Sequence, residues 1–162
     1  MTAAQILCRM IAAQNGSHHD INHLQKVHSF ARVIGLAEGL DEHTQYITEV
    51  AAIVHDIACP MLREKFGSAN GKLQEQYGPD MAREFLADCG VDEADIERIA
   101  FLVGHHHTLE GVDGVDWQIL LEADYLVNAD EGSASLAAIN KALATMFKTR
   151  IGRALLHAIY LS

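Results

Sequence analysis

The sequence predicts an all-α bundle, and three observations carry that reading. Only two prolines interrupt 162 residues, and runs of β-branched residues are few, a composition that favours helices over strands. Apolar residues recur at helical spacing through most of the chain. The stretch Val50–Ala58 is apolar on every side of a helix except at His55-Asp56, and a helix apolar all round is a buried one. A chain that is 49% hydrophobic and 21% charged fits one globular domain over 1–162 with a real core. Its chemistry-bearing part covers about 17–130, and helices are expected over 133–162.

Taken in order, Thr2–Ala13 reads as a short helix with Ile6, Met10 and Ala13 on one face. A polar turn leads to a long helix over Asp20–Gly39, with Asp20 as its N-cap and Gly39 as its stop. On the helical wheel Val27, Phe30, Ile34 and Ala37 lie within about 40° of His23, whereas His28 sits about 140° away. The core helix is expected over 42–58, capped by Asp41 or Thr44 and closed by Cys59-Pro60. Met61–Gly78 reads as a loop with at most one short helix, and a loop that long is more often functional than idle. Pro79 then opens a helix to Cys89 with Met81, Phe85 and Leu86 inward. Asp92–His107 follows, with Ile96, Ile99, Ala100 and Val103 as its stripe; His106 and His107 continue the stripe and His105 points away. Asp116–Asp130 places Asp124 amid Trp117, Leu120, Leu121 and Val127, within about 60°, while Asp113, Asp116 and Asp130 lie off that face. The last part reads as one or two helices broken near Lys148-Thr149, with Leu155, Ile159 and Leu161 packing.

The net charge of −10 disfavours a duplex nucleic acid, whose affinity comes mostly from phosphate neutralisation by Lys and Arg. No apolar run reaches the 18 or so residues of a membrane span, so no membrane partner is expected. The N-terminal stretch lacks the basic flank and apolar block of a signal peptide. Three cysteines without C-x-x-C spacing argue against a disulfide framework or a thiolate zinc site. A cytoplasmic location is the natural expectation. Association of copies into a homo-oligomer is left open.

Burying His55 and Asp56 side by side is costly unless something pairs with them. Consecutive helical positions point about 100° apart, so both side chains can curl toward one ion beside the helix. Three helices thus each bring an ionisable group to the middle of a buried face: His23, then His55 with Asp56, then Asp124. Two imidazoles and two carboxylates with open positions suit one divalent ion such as Mn, Fe, Ni, Co or Mg better than a closed zinc site. Asn128, one turn beyond Asp124, is a candidate for supporting that set. The second His-Asp pair, His19-Asp20, lies in a polar run and reads as a helix start.

The ordered set His23-Leu24-Gln25-Lys26-Val27, His55-Asp56 and Asp124 resembles the HD-domain superfamily of metal-dependent phosphohydrolases. The spacing of 32 from His23 to His55 is typical of that family, and a spacing counted from His28 would be short. The run Gly71-Lys72-Leu73-Gln74-Glu75 and the triplet His105-His106-His107 resemble a short bacterial subgroup. The resemblance implies an HD-type helical bundle around a buried metal, and hydrolysis of a small phosphorylated substrate, foremost a nucleotide. His23, His55, Asp56 and Asp124 would hold the ion, and Asp56 would also orient the attacking water. Lys72, with Arg63 and Lys65, would neutralise phosphate, and His106 or His107 would contact it or protonate the leaving oxygen.

Two departures from the family pattern open alternatives. Some nucleotidase members carry an acidic residue shortly after the pair; here Glu64 is the first. That favours a metal- and nucleotide-binding sensor without turnover. Two-iron members, oxygenases among them, carry further histidines between the pair and the last Asp. Here none occurs before His105, so a single ion is expected.

Overall fold

The computed structural model describes all residues, 1–162, as nine α-helices without a strand. The helices are α1 (Ala3–Ala13), α2 (His18–Glu38), α3 (Glu42–Val54), α4 (Cys59–Phe66), α5 (Gly71–Asp88), α6 (Glu93–Val103), α7 (Val115–Glu131), α8 (Leu136–Thr145) and α9 (Arg150–Tyr160). The all-α expectation therefore holds. At the centre is α3, packed by α1, α2, α6 and α7. Every residue from Val50 to Val54 is fully buried. No helix is long and apolar enough to cross a membrane.

The long helix α2 starts two residues earlier than the pattern suggests. Its N-cap is Ser17, not Asp20. Ser17 Oγ accepts from the Asp20 amide and donates to the Asp20 carboxylate at 2.7 Å. Asp20 thus sits one turn in, where a negative charge meets the positive end of the helix dipole. Asp41 caps α3, its side chain accepting from the His43 and Thr44 amides. At the other end α2 stops where Gly39 takes the left-handed conformation, φ 79°.

The core helix is shorter than expected. α3 ends at Val54, and His55–Ala58 form tight turns in which the Ile57 amide donates to Val54 O and the Cys59 amide to Asp56 O. Pro60 then sits in the first turn of α4. The His-Asp pair is therefore at the end of a helix, not inside one, which frees both side chains to turn toward one point.

The largest correction concerns Met61–Gly78. Only Gly67–Asn70 lie between helices. Pro79 is inside α5, not at its start, and Asn70 is the N-cap. The buried face of α5 is Gln74, Gly78, Ala82 and Leu86, four residues apart each time, so the helical period is present but its first two positions carry no hydrophobic signal. Gly78 is a packing glycine: a Cβ there would lie 2.8 Å from Val103 of α6. Packing against α6 along this face outweighs the helix-breaking tendency of Pro79.

α6 ends at Val103, short of the expected His107, and His105–His107 lie in a turn beyond it. The final segment forms two helices, broken near Lys148-Thr149. Glu122 of α7, fully buried, accepts from the Lys148 and Thr149 amides and the Thr149 hydroxyl and so fixes the start of α9. Asp116 is buried, contrary to the wheel, because Arg98 meets it at 2.7 Å. Ala13 and Ile159 face outward, Ile159 with 45% of its surface exposed.

Candidate metal centre

Four side-chain atoms from three parts of the chain converge. His23 comes from α2, His55 and Asp56 from the turn after α3, and Asp124 from α7. His23 Nε2 lies 3.2 Å from His55 Nε2, 3.4 Å from Asp56 Oδ2 and 3.3 Å from Asp124 Oδ1. His55 Nε2 lies 3.6 Å from Asp56 Oδ2 and 3.4 Å from Asp124 Oδ1. His23, His55 and Asp124 are buried, whereas the Asp56 side chain keeps 30% of its surface exposed.

The partners on the far side of each ring assign the tautomers. His55 Nδ1 donates to Ala52 O at 2.8 Å. His23 Nδ1 donates to Glu131 Oε2 at 2.9 Å. In the neutral rings both Nε2 atoms are then lone pairs. Two lone pairs and two carboxylates facing one another repel unless a cation lies among them. Asp124 Oδ1 is buried and has no hydrogen-bond partner, and a buried orphan acceptor requires an explanation. The donor set fits a divalent ion held by two imidazoles and two carboxylates.

The electrostatics say the same. Burial alone would push the His55 imidazole down, yet the Asp56 charge and the adjacent Asp124 carboxylate raise it to about 9. Against their own burial, Asp56 is held low by His55 and His106, and Asp124 by His23 and His55. The same carboxylate charges attract any cation placed among these groups. The Cys59 thiol is pushed up by burial and by the Asp56 charge.

A second group adjoins the first. The ligand atoms of Asp56, His106 and His107 lie within 4.8 Å of one another. His106 Nδ1 donates to Val103 O at 2.7 Å, and its Nε2 lies 3.4 Å from Asp56 Oδ1 and 3.0 Å from Gln74 Oε1. His107 Nε2 meets the same Gln74 oxygen at 2.9 Å. Gln74 Nε2 donates to Ala69 O, which fixes the amide with its oxygen toward the histidines. His105 turns away, stacked on Phe101 at 4.1 Å.

The other sequence-derived candidates lie around this centre. Lys72 is exposed in the first turn of α5, beside Gly71, where a Cβ would lie 2.9 Å from the His107 ring. Gly71 is thus a contact glycine on a helix and not a hinge in a loop. The Arg63 guanidinium pairs with Asp20. Lys65 lies over the rings of Phe66 and Tyr77 at 5.2 and 5.7 Å. Asn128 is exposed and borders a cleft of 230 Å³ with His106, His107 and Asp124. His28 is outside the centre, 3.0 Å from Glu49.

Two participants escaped sequence reasoning. Glu131, which orients His23, lies seven residues beyond Asp124, two turns along the same face of α7, and that spacing was the available signal. Gln74 stands in the run Gly71–Glu75, but an uncharged amide carries no pattern of its own.

No family model matches the chain. Over 77 residues, 48% of this chain, it is 36% identical to the bifunctional uridylyltransferase/uridylyl-removing enzymes of Bordetella parapertussis and Bordetella bronchiseptica. That stretch is 8% of the length of those relatives. Among solved structures, a predicted HD superfamily hydrolase from an uncultured Thermotogales bacterium superposes with a TM-score of 0.68 at 23% identity, covering 98% of this chain and 84% of that one. Bacillus subtilis YpgQ superposes at 0.65 and 18% identity, covering 98% and 88%. The chain therefore has the all-α fold of the HD superfamily hydrolase on which it superposes.

Proposed function

We propose that the protein is a metal-dependent phosphohydrolase acting on a small phosphorylated substrate, foremost a nucleotide. The observation that carries the reading is the convergence of His23, His55, Asp56 and Asp124, with Asp124 Oδ1 buried and unpartnered. These four residues would hold one divalent ion: Mn, Fe, Ni, Co or Mg. Such an ion supplies Lewis acidity, polarising a phosphoryl oxygen and lowering the pKa of water.

The chain supplies the rest. Asp56, the most exposed of the four, orients water and accepts its proton. His106 and His107 border the cleft beside Asp124 and contact the phosphate or protonate the leaving oxygen. Lys72 is the leading cationic candidate for the phosphate, because it has no ionic partner within the chain and stands beside the His107 contact. Arg63 and Lys65 belong to the same basic stretch but are engaged by Asp20 and by aromatic rings. The Bordetella relatives are named for uridylyl removal, which breaks a phosphodiester, and that supports phosphoester chemistry.

A second reading of the metal content has its own support. Asp56 Oδ1 faces His106 Nε2 while Oδ2 faces the first group. A second ion shared through Asp56 would use His106 and His107.

The test is phosphate release from nucleotides and simple phosphate esters by protein loaded with each metal in turn, with metal stoichiometry measured alongside. Metal-dependent release that Asp124→Ala abolishes is expected. Loaded protein that binds nucleotides but turns none over would instead make it a sensor.

A further inference from the structure

Gln14 closes α1 and turns its side chain inward, with only 7% of the residue exposed. Its Oε1 has no hydrogen-bond partner, and its Nε2 has only Met10 Sδ at 3.8 Å. A primary amide removed from water with its oxygen unpaired and only a thioether beside its nitrogen is rare in a folded protein. Its position is informative. Gln14 and Met10 form the shared wall of two spaces. One is a narrow gap that also touches Asp20, His23 and Asp56. The other is a cleft of 340 Å³ walled by Ile57, Met61, Met81 and Phe85, a size typical of small-molecule sites. The amide therefore stands between an apolar cleft and the metal centre.

We propose that this cleft receives the base of a nucleotide substrate and that Gln14 reads the edge of that base. The proposal rests on the phosphohydrolase reading for the phosphoryl end of the molecule. The chemistry of the walls favours a base over other organic groups. A base has flat apolar faces, which methionine and phenylalanine side chains cover adaptably. Its edge carries a donor beside an acceptor, and a glutamine amide offers the complementary acceptor and donor. The cleft also carries Glu84 and Asp88. Their charges repel phosphate, which orients the molecule with its phosphoryl group toward Asp56 and His23 and its base toward α5.

The test separates base recognition from hydrolysis. In ¹⁵N-labelled protein with Mg²⁺, adenosine, guanosine, cytidine and uridine are titrated while the Gln14 side-chain amide is followed by NMR. At least one nucleoside is expected to shift that signal, and Gln14→Leu is expected to weaken its binding tenfold or more. In the same variant, kcat/KM for the nucleotide relative to that for ribose 5-phosphate should fall about tenfold, chiefly through KM. Leu removes an unsatisfied amide from an apolar wall, so the variant should melt no lower than the wild type; a purely structural Gln14 would lower it. Silence of the Gln14 amide toward all four nucleosides overturns the proposal. So does an unchanged nucleotide-to-ribose 5-phosphate ratio in an active variant, which leaves phosphohydrolysis standing. Nucleoside binding at Gln14 in a protein that hydrolyses no phosphate ester sinks the phosphohydrolase reading and keeps the base site.

Discussion

His23 Nε2 faces His55 Nε2 at 3.2 Å, and each ring has already committed its proton on the opposite side, to Glu131 and to Ala52 O. Neither nitrogen has a proton for the other unless a ring is charged. The two are held together by a fold that is rigid around them, since α2, α3 and α7 pack tightly on one another. The arrangement is a preorganised set of lone pairs, and its consequences can be measured.

The first concerns ligand identity on α2. His23 is at the centre and His28 pairs with Glu49 instead. His23→Ala should lose the bound metal, measured by elemental analysis after gel filtration. His28→Ala should retain it while losing some stability. Retention in the first variant and loss in the second would overturn the assignment.

The second concerns stability. A ligand that binds only the folded state at about 100 times its Kd adds about 2.7 kcal/mol. For a chain of this size that corresponds to a rise in Tm of roughly 5–10 °C. Adding the native metal to stripped protein should give a shift of that order, and Asp124→Ala should abolish it. Identical melting curves with and without metal, at verified occupancy, would rule out these four residues as the site.

Glu131 is one of the two residues that sequence reasoning missed. It accepts from His23 Nδ1 and so aims Nε2 inward. Partners of this kind tune affinity by roughly 10–100-fold. Glu131→Gln should weaken metal binding by about that factor in competition with a fluorescent chelator, with little change in melting of the metal-free protein. An unchanged affinity would show that ring packing alone orients His23.

Lys72 tests the anion side. If its ammonium contacts substrate phosphate, Lys72→Ala should lower kcat/KM by roughly one to two orders of magnitude, the scale of one charge-assisted contact. Metal content and melting should be unaffected. Wild-type kcat/KM in the variant would return Lys72 to the solvated surface and leave the metal as the phosphate receptor.

How much of this was legible in the sequence differs by element. The helix carrying His23 was readable because its buried stripe is made of apolar residues with the imidazole among them. Asp124 stood out for the same reason. α5 was not readable over its first half, because Gln74 and Gly78 occupy core positions without being hydrophobic. Pro79 then looked like a boundary, although packing against α6 holds the helix through it. The end of α3 was misplaced because an unbroken apolar run gives no signal for the residue at which a helix yields to a turn. Asp116 and Glu122 are buried through partners distant in sequence, Arg98 and Thr149, and a helical wheel contains no such partners.

The last prediction lies away from the metal centre and concerns pH. His43, in the first turn of α3, has its Nε2 2.8 Å from Asp95 Oδ1 in the first turn of α6. The hydrogen bond that His43 donates to Asp95, and then the Asp95 charge, raise the imidazole above its usual 6.5. A folded-state value raised above the unfolded one stabilises the protein fully below about pH 6.5, and the contribution is lost as pH rises through the folded value. An NMR titration of His43 should give a midpoint above 6.5 that falls toward the ordinary value in Asp95→Asn. Comparing urea midpoints of the two proteins cancels the other histidines. The advantage of the wild type should be largest near pH 6 and shrink toward pH 8.5. Both partners meet water, so the effect is small and screened by salt. A His43 midpoint that is the same in both proteins would mean that the contact between the starts of α3 and α6 does not persist in solution.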